Sequence, residues 1–469
     1  MSRANIRSIL VVGDGIVGRS AALAFSRALP GVEVNVLGLP ADLAAIADHF
    51  PATLPAVGRF HASIGVDELD LVRQKIAVHH LGTRFDGGAA GAWIHSFGDV
   101  GRGEGTIPFR QIWLGVREKG EALAFDRYSP ASVIGAAGKF VHPSGDPASP
   151  LASYLYGLRL NPERYRALLA HATSHLQRST GTIAAIDCRD DGGIAAVRLA
   201  DGRRVKADLF VDCSGPSAAL IGTVSAEFDD WAPWLPACHV ALTWGQPEPL
   251  APLDRVEAVE HGWRLSATVP GATMSSSVTT EPVPNSVAIR PGRRRRSFVA
   301  NVLALGDAAV AIDPLHGANL SLAHSAILRA IALFPGRDCH LLELAEYNRV
   351  TALETERARD FHALFQAQLL GVSAPPDSLA RTLAQWRARG RLPFFEEETF
   401  TEASWAQALI GLGILPDAVA PTAGVVDGTA AAAAMAAFAR ELGALAERLP
   451  GYADYLDRMI QPLTASARR

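Results

Sequence analysis

The stretch Ser8–Ala22, SILVVGDGIVGRSAA, constrains this chain more than any other. An apolar run, Ile9-Leu10-Val11-Val12, meets Gly13, Gly15 and Gly18 in G-x-G-x-x-G spacing, and small and apolar residues then continue at helical spacing. That order predicts a strand, a tight turn and a helix start. Gly13 permits the turn, Gly15 lets a pyrophosphate approach the backbone, and Gly18 lets the helix pack on the strand. The helix N-terminus would then offer unpaired N–H groups and the positive end of its dipole to the phosphates. A dinucleotide site is the preferred reading, and a merely tight strand–helix turn is the other. FAD enzymes usually carry this motif at the N-terminus, where it stands here.

The rest of the chain fits an α/β protein. Val32–Leu37 reads as the second strand. Such a strand usually ends in Asp or Glu, which holds a ribose hydroxyl; here the place is taken by Gly38, with Asp42 further on. Asn161–Gln177 reads as a helix, Thr182–Cys188 and Ile194–Leu199 as a hairpin, and Val205–Gly215 and Phe298–Leu305 as buried strands. Turns at Gly215 and Gly306 each follow such a strand, and a helix is expected from about Asn319 to Leu333. In a doubly wound sheet these turns line up at the carboxyl ends of the strands, where ligands bind. Asp307 is then an acceptor for a cofactor hydroxyl, or a structural capping residue. The expected organisation is a cofactor-binding core over about 1–40, 155–225 and 296–335. A substrate region is interleaved at about 41–154 and 226–295, and a helical part follows over 336–469, broken at Pro375-Pro376, Gly390, Pro416 and Pro421.

Composition excludes several classes. With 20% charged residues and a net charge of −4, nothing draws the chain to nucleic acid or acidic membranes. Cys188, Cys213, Cys238 and Cys339 lie far apart without metal-ligand spacing, so neither a zinc site nor a disulfide framework is expected. No signal-type segment precedes the first strand and no run of 18 apolar residues occurs, so a cytoplasmic protein is expected. The Ala-rich Thr429–Ala439 reads as a buried helix. The run Arg293–Arg296 reads as a solvated turn, or as a phosphate or partner contact.

Ten motifs in order carry a family resemblance. VVGDGIVG opens the chain; Thr53-Leu54-Pro55, Ile64-Gly65-Val66, Gly82-Thr83-Arg84-Phe85 and Ile94–Gly98 follow one another; then come ADLFVDCSG, Gly262-Trp263, LGDAAVAIDPL, Tyr347-Asn348-Arg349 and SWAQALIGLGILP. Across nearly the whole chain this resembles the flavin-dependent tryptophan halogenases, within the flavoprotein monooxygenase fold. The resemblance implies an FAD-binding Rossmann-like domain with an interleaved mixed-sheet substrate region and a helical C-terminal part. It assigns Gly13, Gly15, Gly18, Gly215, Gly306, Asp307, Gly317 and Ala318 to the cofactor. It also implies FADH2 from a separate flavin reductase, and halide oxidised to hypohalous acid, which travels a tunnel to a lysine beside an indole-like substrate. A homodimer or pairing with a paralogue would suit such a chain.

The departures fall on the chemistry. The family's lysine aligns with His80, in Val78-His79-His80-Leu81; Lys75, five residues earlier, would need a register shift that Gly82–Phe85 opposes. An imidazole, with an ordinary pKa near ~6.5, can hydrogen-bond an oxidant or move a proton but cannot form a haloamine. His80 is thus a functional group or a packed histidine. The family's second tryptophan in G-W-x-W-x-I-P is Leu265; Trp263 is then a barrier between substrate and flavin, or a core aromatic. The hydroxyl-bearing turn expected over the flavin reads Gly317-Ala318-Asn319, which still offers backbone N–H groups. Asp313 stands for the family's carboxylate, or caps a helix. Phe60, Phe85, Trp93, Phe97, Trp113 and Trp263 are candidate walls for a flat ring, with Phe85, Trp93 and Trp263 preferred. Halogenation by another route, hydroxylation, and a degenerate paralogue that binds substrate or a partner all remain open on these residues.

Overall fold

The computed structural model describes residues 5–40, 42–50, 52–87, 91–372, 374–396 and 398–460. The chain forms two units. One comprises Met1–Glu68, Leu160–Ala241 and Val278–Arg359, the other Leu69–Arg159, Leu242–Ser277 and Asp360–Arg469.

The first unit is built on a six-stranded sheet. Its spatial order is Phe298–Val299, Val302–Ala304, Leu209–Asp212, β1 (Ser8–Val12), β2 (Glu33–Gly38) and Gln177–Thr180. β1 pairs in parallel with both neighbours, and so do the strands flanking them. Ile9, Leu10, Val11 and Val12 are all buried, as a strand covered on both faces requires. The first helix, α1 (Ile16–Ala28), follows β1 and buries Val17, Ala21, Leu23 and Phe25. Parallel pairing brings the turns at Gly13, Gly215 and Gly306 to the same edge of the sheet. Asp212 secures the middle turn: its carboxylate accepts from the Ser214 N–H and hydroxyl at 3.1 and 2.6 Å, and from the N–H groups of Leu220 and Ile221 at 2.8 Å each.

Phe298–Leu305 is not one strand. It folds back at Ala300, whose φ of 48° turns the chain, into the antiparallel pieces Phe298–Val299 and Val302–Ala304. Buried Asn301 fixes that turn, donating to the carbonyls of Ile194 and Asp208 and accepting from the Ile194 N–H. The arginine run is not a solvated turn: Arg293 and Arg294 lie in the strand Gly292–Arg294, and the run is ion-paired, with Arg293 and Arg295 meeting Asp229, Arg293 also meeting Glu356, and Arg296 meeting Glu227.

The second unit holds a sheet ordered Ala272–Thr279, Gly262–Val269, Leu253–Val259, Gly82–Asp86 and Trp93–Ser96. Leu253–Val259 runs parallel to Gly82–Asp86 and antiparallel to Gly262–Val269. Ala77–His80 and Gly157–Leu160 form a separate pair. The C-terminal helices include Asp377–Arg389, Glu402–Gly411 and Gly428–Arg448. Thr401 and Asp427 cap the last two, and Gly390 ends the first. The Ala-rich segment lies in Gly428–Arg448, but Met435 is its only buried residue between 429 and 439. Alanine makes that helix through its intrinsic propensity, not through burial. Among the described residues no helix is long and apolar enough to cross a membrane.

Candidate functional site

In the first unit the glycine turn is a close-fitted cradle. A Cβ on Gly18 would lie 2.0 Å from the Gly13 carbonyl oxygen, and one on Gly13 would lie 2.2 Å from the Cys213 carbonyl oxygen. Beside Gly38, where a strand-end carboxylate is usual, lies the carboxylate of Asp14 from the glycine motif: a Cβ on Gly38 would stand 3.0 Å from Asp14 Oδ2. Arg19 and Arg178 pair with that carboxylate.

A short helix, α2 (Ile46–His49), lies against the cradle. Its Asp48 accepts from the Val17 N–H at 2.9 Å, and the Ile16 N–H bonds to it too. Burial pushes the Asp48 carboxyl above the usual range, and the Val17 and Ile16 N–H groups oppose that rise. Asp307, on the turn after Val302–Ala304, accepts from the Ala47 N–H at 3.0 Å through Oδ2. Its Oδ1 is buried without a hydrogen-bond partner. Burial, with Asp48 nearby, pushes the Asp307 carboxyl up to about 7.

That value sets a pH prediction. The folded carboxyl titrates above its unfolded value of about 3.9, so the native state holds the extra proton. The resulting stability is complete below the unfolded value and is lost as pH rises through the folded one. Between pH 5 and 8 wild type should lose roughly 2–3 kcal/mol on this account. Asp307→Asn should flatten that slope in urea denaturation curves; an unchanged slope would assign the titration elsewhere.

Further along, Gly317 is the N-cap of helix Ala318–Ala332, in left-handed conformation and against Ala52. Asp313 does not cap that helix. Its Oδ1 accepts from the Leu315 N–H at 3.0 Å and closes the Pro-Leu turn before it. Gly215 sits beside Ala45, and Gly306 beside Val17.

In the second unit His80 is buried in a charged cluster. Its Nε2 is 3.3 Å from Asp254 Oδ2 and 3.1 Å from an Arg159 Nη. Arg159 Nε also donates to Asp254 Oδ1 at 2.9 Å. With the proton on Nδ1, His80 accepts from Arg159; with the proton on Nε2, it donates to Asp254. Desolvation pulls the Arg159 guanidinium down to about 9. The Phe97 ring meets His80 edge-on, with centroids 5.0 Å apart.

Phe85 and Trp93 stack on each other at 4.8 Å, and both rest on Phe365. Trp263 is wholly buried on Gly262–Val269, with no hydrogen-bond partner for its indole N–H, and Leu265 is buried on the same face. Of the other aromatic candidates, Phe60 stacks on His324 and the Trp113 indole N–H donates to the Leu123 carbonyl.

Asp48, Arg159 and Asp254 were not legible as site residues, because no local motif marks them. Asp14 had one signal, its place inside the glycine motif.

A parallel sheet with glycine turns at its strand ends, and a buried aspartate on the third turn, defines a dinucleotide-binding fold of the flavoprotein kind. The tryptophan halogenase family profile matches residues 8–428, and the chain belongs to that family. The tryptophan 7-halogenase KtzQ of Kutzneria sp. (strain 744) is 29% identical in a 446-residue alignment that covers 83% of this chain and 79% of that protein. The solved structure of BrvH, a flavin-dependent halogenase from Brevundimonas sp. BAL3, matches with a TM-score of 0.89 and 29% identity, covering 97% of this chain and 99% of that one. A flavin-dependent halogenase from Xanthomonas campestris matches with a TM-score of 0.87 and 25% identity, over 97% and 98% of the two chains. The family comprises flavin-dependent oxidoreductases that use FADH2 from a separate reductase, with halide as a substrate.

The residues present fit FAD at two points and conflict at a third. The glycine cradle admits close backbone approach, and the orphaned Asp307 Oδ1 is placed to take a hydroxyl. The third point is the face of Gly15, where Asp48 stands. The cleft left open there offers about 100 Å³, against roughly 300–1,000 Å³ for small-molecule pockets.

Proposed function

We propose that this chain oxygenates an aromatic, indole-like substrate with FADH2 and O2, rather than transferring halogen through an amine. One observation carries the reading: His80, which the motif order aligns with the family's lysine, is an imidazole locked to a carboxylate and a guanidinium. The chain's lysines are Lys75, Lys119, Lys139 and Lys206. Three are exposed, and Lys139 donates to the carbonyls of Ala446 and Glu447. None is a buried amine that could shield an electrophilic halogen from water.

The glycine cradle and Asp307 would hold FADH2, which would supply two of the four electrons that O2 takes up; the substrate would supply the other two as one oxygen atom enters the ring and the other leaves as water. His80 takes the proton that the ring carbon loses. Asp254 stabilises the imidazolium that forms, and Arg159 holds Asp254 in place. Phe97 supplies an aromatic wall beside the imidazole.

The test is turnover with FADH2 from an added reductase, O2, bromide and a panel of indoles that includes tryptophan. The expected product carries one added oxygen and no bromine. His80→Ala should lower kcat by about 10²-fold, with KM little changed. A brominated product from the wild-type protein would overturn the reading.

A further inference from the structure

The N-terminus of α1 is where a dinucleotide's diphosphate belongs, since its first N–H groups have no partner within the helix. In this chain they have one. Val17 N–H donates to Asp48 Oδ1 at 2.9 Å, and Gly15 provides no side-chain cap of its own. A Cβ on Gly15 would lie 2.0 Å from Asp48 Oδ2, so the carboxylate rests directly on the face that a phosphate would need.

The segment carrying Asp48 is pinned across the rest of the cofactor edge. The Ala47 N–H is taken by Asp307, the residue otherwise placed to accept a cofactor hydroxyl. Arg166, from helix Pro162–Ala172, donates to the Asp48 carbonyl at 3.1 Å, and the His49 ring bonds the Asp42 carbonyl at 2.9 Å. The Leu54 N–H donates to Ser321 just beyond the Gly317 turn. One stretch thus touches the first glycine turn, Asp307 and the third helix start together.

We propose that Asp48 is an internal occupant of the diphosphate subsite, so that FAD binds only when the segment around 42–50 withdraws. A carboxylate resembles a phosphate in the two respects that matter at this helix end, negative charge and acceptor oxygens. Withdrawal exchanges one anion for another: Ile16 and Val17 pass from Asp48 to the diphosphate, and Asp307 passes from Ala47 to a ribityl hydroxyl. Arg166, which lines the same cleft, is released to pair with phosphate. The proposal rests on the FAD reading and adds that this chain's own residue competes with the cofactor.

The experiment is calorimetric titration of the full chain with oxidised FAD, and separately with ADP, which carries the diphosphate without the flavin. Wild type, Asp48→Gly and Asp48→Asn are compared, with thermal melts of each. Asp48→Gly should bind both ligands at least tenfold more tightly than wild type, and Asp48→Asn, uncharged but still an acceptor, should fall between them. Without ligand Asp48→Gly should melt lower, because α1 loses its cap, and FAD should raise its melting temperature by more than that of wild type. A purely structural Asp48 would lower stability and affinity together. Equal or weaker binding of FAD and ADP by folded Asp48→Gly overturns the inference and leaves the FAD reading standing. Tighter FAD with unchanged ADP overturns it too, since the diphosphate subsite would not be the one released. If neither wild type nor variant takes up FAD at any concentration, the FAD reading itself fails.

Discussion

Asp254→Ala should destabilise the folded protein by about 3–5 kcal/mol, the usual cost of stranding a buried charge. Asp254 and Arg159 are 3% and 5% exposed, and the guanidinium grips both carboxylate oxygens. The sheet sets up this contact. Asp254 sits on Leu253–Val259, Arg159 on Gly157–Leu160, and His80 ends the strand paired with the latter. Loss of the carboxylate leaves Arg159 without its anion in a site that already pulls its pKa down. Asp254→Asn keeps an acceptor but loses the charge, so a smaller loss is expected. The double variant Asp254→Ala/Arg159→Met removes both charges and should recover much of the stability. Urea denaturation midpoints at neutral pH decide the matter. A single Ala variant within about 1 kcal/mol of wild type would mean the pair is hydrated rather than buried.

The contrast between this cluster and the glycine turn shows what a sequence can reveal. Gly13, Gly15 and Gly18 are dictated by local geometry, so spacing alone locates the turn, the strand before it and the helix after it. The partners of His80 are not local: Arg159 and Asp254 are 95 residues apart and meet only because three strands converge. Asp48 lies 31 residues from Val17, in a stretch interrupted by Pro40, Pro51 and Pro55 with no strand–helix rhythm to place it. The same limit explains the split of Phe298–Leu305. Its apolar run reads as one strand, but Asn301 bonds to Ile194, 107 residues away, and that contact fixes the reversal. The helix breaks at Pro375-Pro376 and Gly390 were legible, because proline and glycine act on their own backbone.

Gly13→Ala should cost about 4 kcal/mol, from two effects that can be separated. Gly13 has φ of 108°, where an L side chain is strained by roughly 1–3 kcal/mol. Its new Cβ would also stand 2.2 Å from the Cys213 carbonyl oxygen, an overlap that must be relieved by moving backbone. That backbone is held: Gly13 N–H donates to Leu37 at 2.9 Å, and Cys213 N–H donates to Val12 at 2.8 Å. Relief therefore shifts β1 against its neighbours on both sides, a repacking penalty of roughly 1–3 kcal/mol. Gly192→Ala supplies the control. Its φ is 82°, but nothing lies within 4 Å of its Cβ position, so it carries strain without overlap. It should cost about 1–2 kcal/mol. The excess for Gly13→Ala over Gly192→Ala in urea denaturation then measures how rigidly the strand ends hold the cradle. If the two variants are equally stable, Cys213 yields freely and the close fit at this turn does not constrain the sheet.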